Sequence, residues 1–254
     1  MNTSAWNRFV KVRDSFKKEI ERLERSLPGL RAVQQQLVNE HSPSYVVDTP
    51  IVYNNALDDI RKDSEIHLIL VGDNPGRREQ AAENRRYLVG PSGKIAEKFF
   101  RDNPILGIDF RENVIILNKT PVHTPRTADL RKLCRLAGPE ITAAIDESQR
   151  FMARLLPEFH HALTFDGATT QIWITGYSEM RKKGIFAAYT EELNTALGKA
   201  GLKDTAFLFR HFSMNQFTID LNKKAVPGEP LSETLSRIGT DYRKRFLSEE
   251  SLKY

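Results

Sequence analysis

The chain has 254 residues, 40% hydrophobic and 28% charged, a balance that is typical of globular proteins and excludes intrinsic disorder and fibrous architecture. Lys and Arg number 38 against 33 Asp and Glu, and the resulting net charge of +5 allows a polyanionic partner without requiring one. No apolar run approaches the roughly 20 residues of a membrane helix, and the first residues lack a signal pattern, so we expect a cytoplasmic protein without a membrane partner. The single cysteine, Cys134, excludes a disulfide framework, a cysteine zinc site and a four-cysteine iron–sulfur cluster, and we expect no metal or other cofactor.

Apolar residues three or four positions apart predict a helix over residues 6–27. They are Trp6, Phe9, Val12, Phe16, Ile20, Leu23 and Leu27. A proline and a glycine end this helix, a second helix is predicted over residues 30–39, and residues 41–48 are predicted to be an extended connection. These elements indicate an N-terminal helical extension over residues 1–60.

From residue 66 onwards, short apolar runs alternate with amphipathic segments. The runs are Ile66–Val71, Asn113–Leu117, Gln171–Thr175 and Thr205–Phe209, and the predicted helices lie near Gly93–Arg101, Ala128–Leu156, Ile185–Ala200 and Ser232–Leu247. Continuous apolar runs of this length are typical of strands buried on both faces, and their alternation with helices is typical of a parallel sheet. The predicted fold class is therefore α/β, a three-layer α/β/α sandwich around a central four-stranded, mostly parallel sheet, over residues 61–254.

Polar residues and glycines follow the predicted strands. The first strand leads into Asp73 and Asn74, the second into Asn118, the third into Gly176 and the fourth into His211. Ligands of open parallel sheets bind beyond the carboxyl ends of the strands, so these residues are predicted to converge on one site. Each of them also has an ordinary structural explanation, as part of a turn, a helix cap or a buried histidine.

Four segments of the chain have counterparts, in the same order, in a known superfamily. A strand enters Gly-Asp-Asn-Pro-Gly at residues 72–76, a loop ends in Leu-Val-Gly-Pro-Ser-Gly at 88–93, a strand ends in asparagine at 118, and His-Phe-Ser follows at 211–213. This order resembles the uracil-DNA glycosylase superfamily over residues 66–215, with residues 1–60 outside the resemblance. The resemblance implies a monofunctional DNA glycosylase that hydrolyses the N-glycosidic bond of uracil or a related damaged base in DNA.

The same resemblance implies catalytic roles for three residues. Asn74 stands where the family positions the hydrolytic water, and Asp73 is a second candidate for polarising that water. His211 matches the histidine that donates to the base carbonyl oxygen as negative charge develops there. These residue types suit the chemistry, because a positioned donor stabilises the departing base and a held water captures the sugar cation.

Residues of the same motifs are expected to contact the substrate. Asn118 matches the asparagine that recognises the Watson–Crick edge of the base, and an amide can both donate and accept there. Tyr87 or Leu88 occupies the place of the stacking aromatic residue, and Gly72 and Ser213 are predicted to contact the substrate beside them. Basic and polar residues near the strand ends predict a DNA-binding rim. They are Arg77, Arg78, Arg86, Lys94, Arg126 and Asn215.

The chain also departs from the family pattern. Phe212 replaces the usual proline after the histidine, and one cysteine cannot hold the cluster of the iron–sulfur branch. No Lys or Pro is placed in the motifs as an amine nucleophile, which favours a monofunctional enzyme. Two alternatives stay open: a non-catalytic DNA- or base-binding protein of the same fold, and an N-glycosidase acting on a small nucleoside-type substrate.

Overall fold

The computed structural model of the chain describes residues 1–39, 42, 44–165, 167 and 169–247. Within them lie seven α-helices, four β-strands and several short 3₁₀ turns. In chain order the elements are α1 (Thr3–Ser26), α2 (Leu30–Asn39), β1 (Leu68–Gly72), α3 (Pro91–Asp102), β2 (Val114–Asn118), α4 (Asp129–Leu163), β3 (Gln171–Thr175), α5 (Ala187–Lys199), β4 (Ala206–Phe209), α6 (Gln216–Lys224) and α7 (Leu231–Phe246). No helix among the described residues is both long and apolar enough to cross a membrane.

The four strands form one parallel sheet in the order β2-β1-β3-β4. The predicted α/β class and the central four-stranded parallel sheet are thus confirmed. Gly72 is in register with Asn118 at the carboxyl ends of β1 and β2, and Thr175 is in register with Phe209 at the ends of β3 and β4. All four strands therefore end at one edge of the sheet, as the sequence predicts.

Helices cover both faces of the sheet. On one face, Trp173 of β3 stacks on Phe100 of α3 and on Phe217 of α6, and α7 approaches β4 at Phe207. Helices α4 and α5 pack against each other on the opposite face. These three layers bury the apolar strands on both sides, which explains why the strand sequences are continuous apolar runs.

The N-terminal helices share the hydrophobic core of the sheet. Helix α1 buries most of the predicted apolar stripe, and Asn2 caps its first turn by accepting from the backbone N–H of Ala5. The Phe9 ring lies 5.8 Å from that of Phe159 in α4. Of the predicted extended connection over 41–48, residues 41 and 43 lie outside the described residues, and residues 45–47 have no regular secondary structure.

Two helices differ from the sequence prediction. The predicted helix over 128–156 is broken at Gly138, whose φ of +80° suits glycine, and it runs on past Pro157 to Leu163. Buried residues such as Phe159 hold this last part in place although proline removes a backbone donor. Helix α6 was not predicted, because its nine residues bury only three side chains and carry too short an apolar pattern.

Candidate active site

A cavity of about 1210 Å³ lies at the carboxyl ends of the strands. All four strand ends contribute to its wall, with Asp73 and Asn74 after β1, Asn118 at the end of β2, Gly176 after β3 and His211 after β4. The structure thus brings the predicted strand-end residues together. We call the part of the wall formed by Asp73, Asn74, Asn118 and His211 the inner end.

Asn118 presents an unpaired amide to the inner end. It is 2% exposed, and its Nδ2 has no hydrogen-bond partner among the described residues. A Cβ atom on Gly72 would lie 2.6 Å from Asn118 Oδ1, so the glycine leaves room for this side chain. Gly72 itself does not line the cavity and lies behind Asn118, so its contact with a substrate stays a prediction. Because an unsatisfied buried donor costs roughly 1–3 kcal/mol, the amide is a candidate donor to a molecule that enters the cavity.

Asp73 is held by a buried lysine that is not among the residues predicted from the sequence. Lys119 is fully buried, and its Nζ lies 2.6 Å from Asp73 Oδ1 while also donating to the carbonyl oxygens of Gly72 and Thr175 at 3.3 and 2.5 Å. Burial lowers the pKa of Lys119, and the Asp73 carboxylate opposes that shift. Thr127 Oγ1 donates to Asp73 Oδ2 at 3.3 Å, so both carboxylate oxygens are oriented.

The backbone after β3 must also make room for this carboxylate. Gly176 has a φ of +79°, and a Cβ atom there would lie 2.4 Å from Asp73 Oδ1. Only glycine combines this left-handed conformation with so close an approach. The position of Asp73 is therefore set by three strand ends together.

Asn74 is anchored through its amide nitrogen. Nδ2 donates to Thr124 Oγ1 at 2.9 Å and lies 3.4 Å from the carbonyl oxygens of Val122 and Thr124. No described residue donates to Asn74 Oδ1, and the residue lines the cavity. The side chain therefore offers a fixed acceptor, which is what holding a water molecule requires.

A buried histidine supports the loop that carries Asn74. His123 is fully buried, its Nδ1 lies 2.8 Å from the carbonyl oxygen of Pro75, and its Nε2 lies 2.7 Å from the Tyr45 hydroxyl. Burial lowers the pKa of His123 to about 4, so the ring is neutral at pH 7, with Nδ1 donating and Nε2 accepting. Gln34 of α2 donates to the His123 carbonyl oxygen at 2.8 Å. The N-terminal segment therefore supports the loop that carries Asn74 from behind, and none of its described residues lines the cavity.

His211 has one ring nitrogen engaged by its own loop. The backbone N–H of Ser213 donates to His211 Nδ1 at 3.0 Å. Burial lowers the pKa of His211, Asp73 opposes this shift and Lys119 adds to it, so the ring is neutral at pH 7. Since Nδ1 accepts, the proton is on Nε2, and no described residue accepts from it. His211 is thus a neutral donor with a free N–H in the cavity wall.

The two candidates for the stacking residue differ in position. Tyr87 is 1% exposed, donates its hydroxyl hydrogen to the carbonyl oxygen of Val52 at 2.6 Å, and has no face on the cavity. Leu88 lines the cavity, in a left-handed conformation with a φ of +52° that is uncommon for leucine. Leu88 is therefore the one of the two that a base could contact.

Glu79, which is not among the residues predicted from the sequence, also lines the cavity. It is 6% exposed, and its Oε2 accepts from the backbone N–H of Gly76 at 3.1 Å. Burial raises the pKa of Glu79 to about 7, although backbone donors at Gly76, Leu88 and Gly90 act against the rise. Nothing in the local sequence distinguishes this carboxyl from an exposed one.

Three of the six predicted DNA-binding residues line the cavity. Arg77 and Arg78 form no ion pair with a described residue, and the Arg77 guanidinium lies 4.5 Å from the centroid of the Tyr45 ring. Arg126 also lines the cavity and pairs with Asp129 at 3.1 Å. The rim therefore carries positive charge that is only partly neutralised.

The other three lie outside the cavity wall. Arg86 pairs with Asp59 at 2.5 Å, and Lys94 is exposed on α3. Asn215 precedes α6 with a φ of +56°. Contact of these residues with DNA stays a prediction, and it would require a ligand that extends beyond the cavity.

Met214 is a residue of the cavity wall that was not predicted from the sequence. It follows Ser213 at the cavity wall, is 80% exposed, and has a φ of +52°. An exposed methionine in a left-handed conformation next to His211 is a projecting apolar side chain at the mouth of the site.

No group of three or more His, Cys, Asp or Glu side chains in the described part of the chain is arranged to hold a metal ion. The chain matches no family model, no curated protein and no solved structure.

Proposed function

We propose that this protein is a monofunctional DNA glycosylase that hydrolyses the N-glycosidic bond of uracil or a related damaged base, as in base excision repair. One observation carries the proposal: the inner end joins the unpaired amide of Asn118 and the free Nε2–H of His211 in one cavity wall with Asp73 and Asn74. Two fixed donors can stabilise a base that leaves as an anion. The neighbouring carboxylate and the fixed acceptor can hold the water molecule that attacks. We also propose a cytoplasmic location, since the free thiol of Cys134 is compatible with the reducing conditions there.

His211 stabilises the leaving base. As the bond between C1′ and the base nitrogen breaks, its electron pair moves onto the base, and negative charge develops on a carbonyl oxygen. The Nε2–H donates to that oxygen, and a neutral donor placed there accelerates such a step by roughly a hundred- to a thousandfold. The lowered pKa of His211 keeps it neutral, so it stabilises charge without surrendering its proton.

Water completes the reaction. Asn74 Oδ1 accepts from the water, whose oxygen forms a bond to C1′, and Asp73 takes the proton that the water loses. Lys119 keeps the Asp73 carboxylate in place. The Lys119 amine is fully buried, donates to three oxygens and does not line the cavity, which argues against an amine nucleophile and for hydrolysis.

Asn118 selects the base. Uracil presents an acceptor and a donor on its Watson–Crick edge, and the Asn118 amide can complement both. A base inside a duplex cannot reach this buried amide, so the nucleotide must be flipped out of the stack. In this proposal Met214 fills the vacated space, as apolar side chains of minor-groove binders do when they insert between base steps. Arg77 and Arg78 supply positive charge for the phosphates at the rim.

The test is base release from a single-stranded or duplex oligonucleotide that contains one uracil, developed as strand cleavage in hot alkali. We expect the wild-type protein to produce cleavage at the uracil, and Asn74→Ala and His211→Ala to lose at least a hundredfold in rate while still binding DNA. Matched controls are Asn7→Ala, on the exposed face of α1, and His67→Ala, exposed at the opposite edge of the sheet, which should keep the wild-type rate.

Two results would refute the proposal. Absence of release from uracil, hypoxanthine and xanthine substrates, with DNA binding intact, would favour the non-catalytic alternative. Release from free nucleosides that is indifferent to DNA and to salt would favour a small-substrate N-glycosidase.

A further inference from the structure

The cavity extends well beyond the inner end. Its volume of about 1210 Å³ exceeds the roughly 300–1,000 Å³ of pockets for a single drug-sized ligand. The additional space reaches the last turn of α7. We call this part the outer chamber; it is lined by Tyr177, Arg181, Arg210, Tyr242, Arg245 and Phe246.

Three aromatic rings form a wall of the outer chamber. The Tyr177 ring centroid lies 4.2 Å from that of Tyr242 and 4.5 Å from that of Phe246. The Tyr242 hydroxyl donates to the Asp220 carboxylate, whose oxygens lie 2.9 and 2.8 Å away, and it accepts from Lys224 Nζ at 2.5 Å. The rings are therefore fixed before a ligand arrives, and the Phe246 ring is only partly buried.

Positive charge accompanies these rings. Arg181 forms no ion pair with any described residue, and its guanidinium lies 5.4 Å from the centroid of the Phe246 ring. Arg210 directly precedes His211 and is 3.6 Å from Asp220, and Arg245 pairs with Asp241 at 3.1 Å. Arg181 is thus the cation of the outer chamber that is free to bind an anion. Fixed aromatic faces beside a free arginine are the combination that binds unstacked nucleotides.

We propose that the outer chamber binds the nucleotide next to the flipped one on the same strand, with its base against Phe246 and its phosphate on Arg181. This inference rests on the proposed function, because it takes the inner end as the site of the flipped base. A base that is still paired and stacked offers no free face to an aromatic side chain, so the bound neighbour is single-stranded. The protein would therefore prefer substrates that are already locally unpaired.

The test compares two single-stranded pentanucleotides with a central deoxyuridine. One has normal neighbours, and in the other both neighbours are abasic tetrahydrofuran residues with the phosphates retained. We expect the wild-type kcat/KM for uracil release to be about tenfold or more higher on the first, the size expected for one base–aromatic stack. Phe246→Leu should reduce this ratio to near one while keeping the rate on the abasic-flanked substrate.

Arg181→Gln tests the phosphate contact and, at an exposed position, leaves the fold intact. We expect the slope of log affinity against log salt concentration to become shallower by about 0.7, the value for one phosphate of a single strand. The controls Lys183→Gln and Lys244→Gln remove exposed charges outside the cavity and should keep both the slope and the substrate ratio.

Equal wild-type rates on the two pentanucleotides, or an equal loss on both in Phe246→Leu, would overturn the inference while leaving the proposed function standing. If no uracil is released from either, the proposed function fails, and the outer chamber is tested by fluorescence anisotropy of the labelled pentanucleotide. Weaker binding in both variants would support a single-strand site there. Unchanged binding, or full displacement by a free deoxynucleoside monophosphate at the same concentration as the pentanucleotide, would overturn it.

Discussion

Replacing Glu79 by glutamine should change how the stability of the protein depends on pH. Burial raises the pKa of Glu79 to about 7 in the folded chain, against 4.5 for an ordinary glutamate. Between these values the folded state holds a proton that the unfolded state has released. The free energy of unfolding therefore falls as pH rises through this window, and the destabilisation is complete above about pH 7.

The size of this effect follows from the two pKa values. A gap from 4.5 to about 7, at about 1.4 kcal/mol per pH unit, corresponds to about 3 kcal/mol. Glu79 is 6% exposed, so solvent screens this effect little. Glutamine cannot ionise. As the pH rises from 4 to 8, the free energy of unfolding of Glu79→Gln should therefore increase by about 3 kcal/mol relative to that of the wild-type protein. We also expect a difference in the free energy of unfolding that does not depend on pH. The glutamine N–H₂ group cannot accept from the backbone donors that the Glu79 carboxyl accepts from.

Urea unfolding followed by tryptophan fluorescence measures this difference, and Trp173 in the buried strand β3 is a suitable reporter. The control is Glu83→Gln, an exposed carboxyl on the same loop, whose stability curve should run parallel to that of the wild-type protein. Parallel curves for Glu79→Gln and the wild-type protein across pH 4–8 would refute the reasoning.

Four further predictions concern the site. Asn118→Asp should admit cytosine, since a carboxylate accepts from the exocyclic amine, and unchanged base selectivity in release assays would count against a base-recognition role. Gly72→Ala should slow uracil release about tenfold or more with DNA binding retained, because its Cβ would lie 2.6 Å from Asn118 Oδ1; a wild-type single-turnover rate would contradict this. Lys119→Met should cost about 3 kcal/mol in urea unfolding by leaving Asp73 unpaired, and adding Asp73→Asn should recover much of that; no recovery would argue against the ion pair as the cause. Met214→Ala should slow release from duplex but not from single-stranded substrates, and an equal effect on both would exclude a wedge role.

The sheet and its functional edge could be predicted because they depend on local patterns. Strands buried on both faces have continuous apolar sequences, and the carboxyl ends of parallel strands lie at one edge of the sheet. The first strand was expected over residues 66–71 and lies at Leu68–Gly72. Asp73, Asn74, Asn118 and His211 therefore converge on one cavity as expected.

Side-chain direction within a loop could not be predicted. Tyr87 and Leu88 are adjacent in sequence, yet Tyr87 is enclosed by the protein and Leu88 lines the cavity. The left-handed backbone at Leu88 produces this difference, and no residue there signals it, since such a conformation is uncommon for leucine.

Long-range pairing of charges was equally hidden. Lys119 and Asp73 are 46 residues apart in sequence and form a buried ion pair. Their partnership depends on the register of β1 against β2, which the sequence pattern does not specify. Arg86 was grouped with the DNA-binding arginines from its position in the loop, and the folded chain pairs it with Asp59, 27 residues earlier.

The proton position on His211 is determined by the main chain. The donor to Nδ1 is the backbone N–H of residue 213, so the serine hydroxyl has no part in it. Every amino acid except proline carries that N–H, and substitutions at position 213 should therefore leave the ring tautomer unchanged. Ser213→Pro removes this N–H, so the ring should no longer be held in one tautomer. Nitrogen-15 NMR of the His211 ring would detect the change. The ring tautomer on which a glycosylase reaction would depend is thus insensitive to most substitutions at position 213.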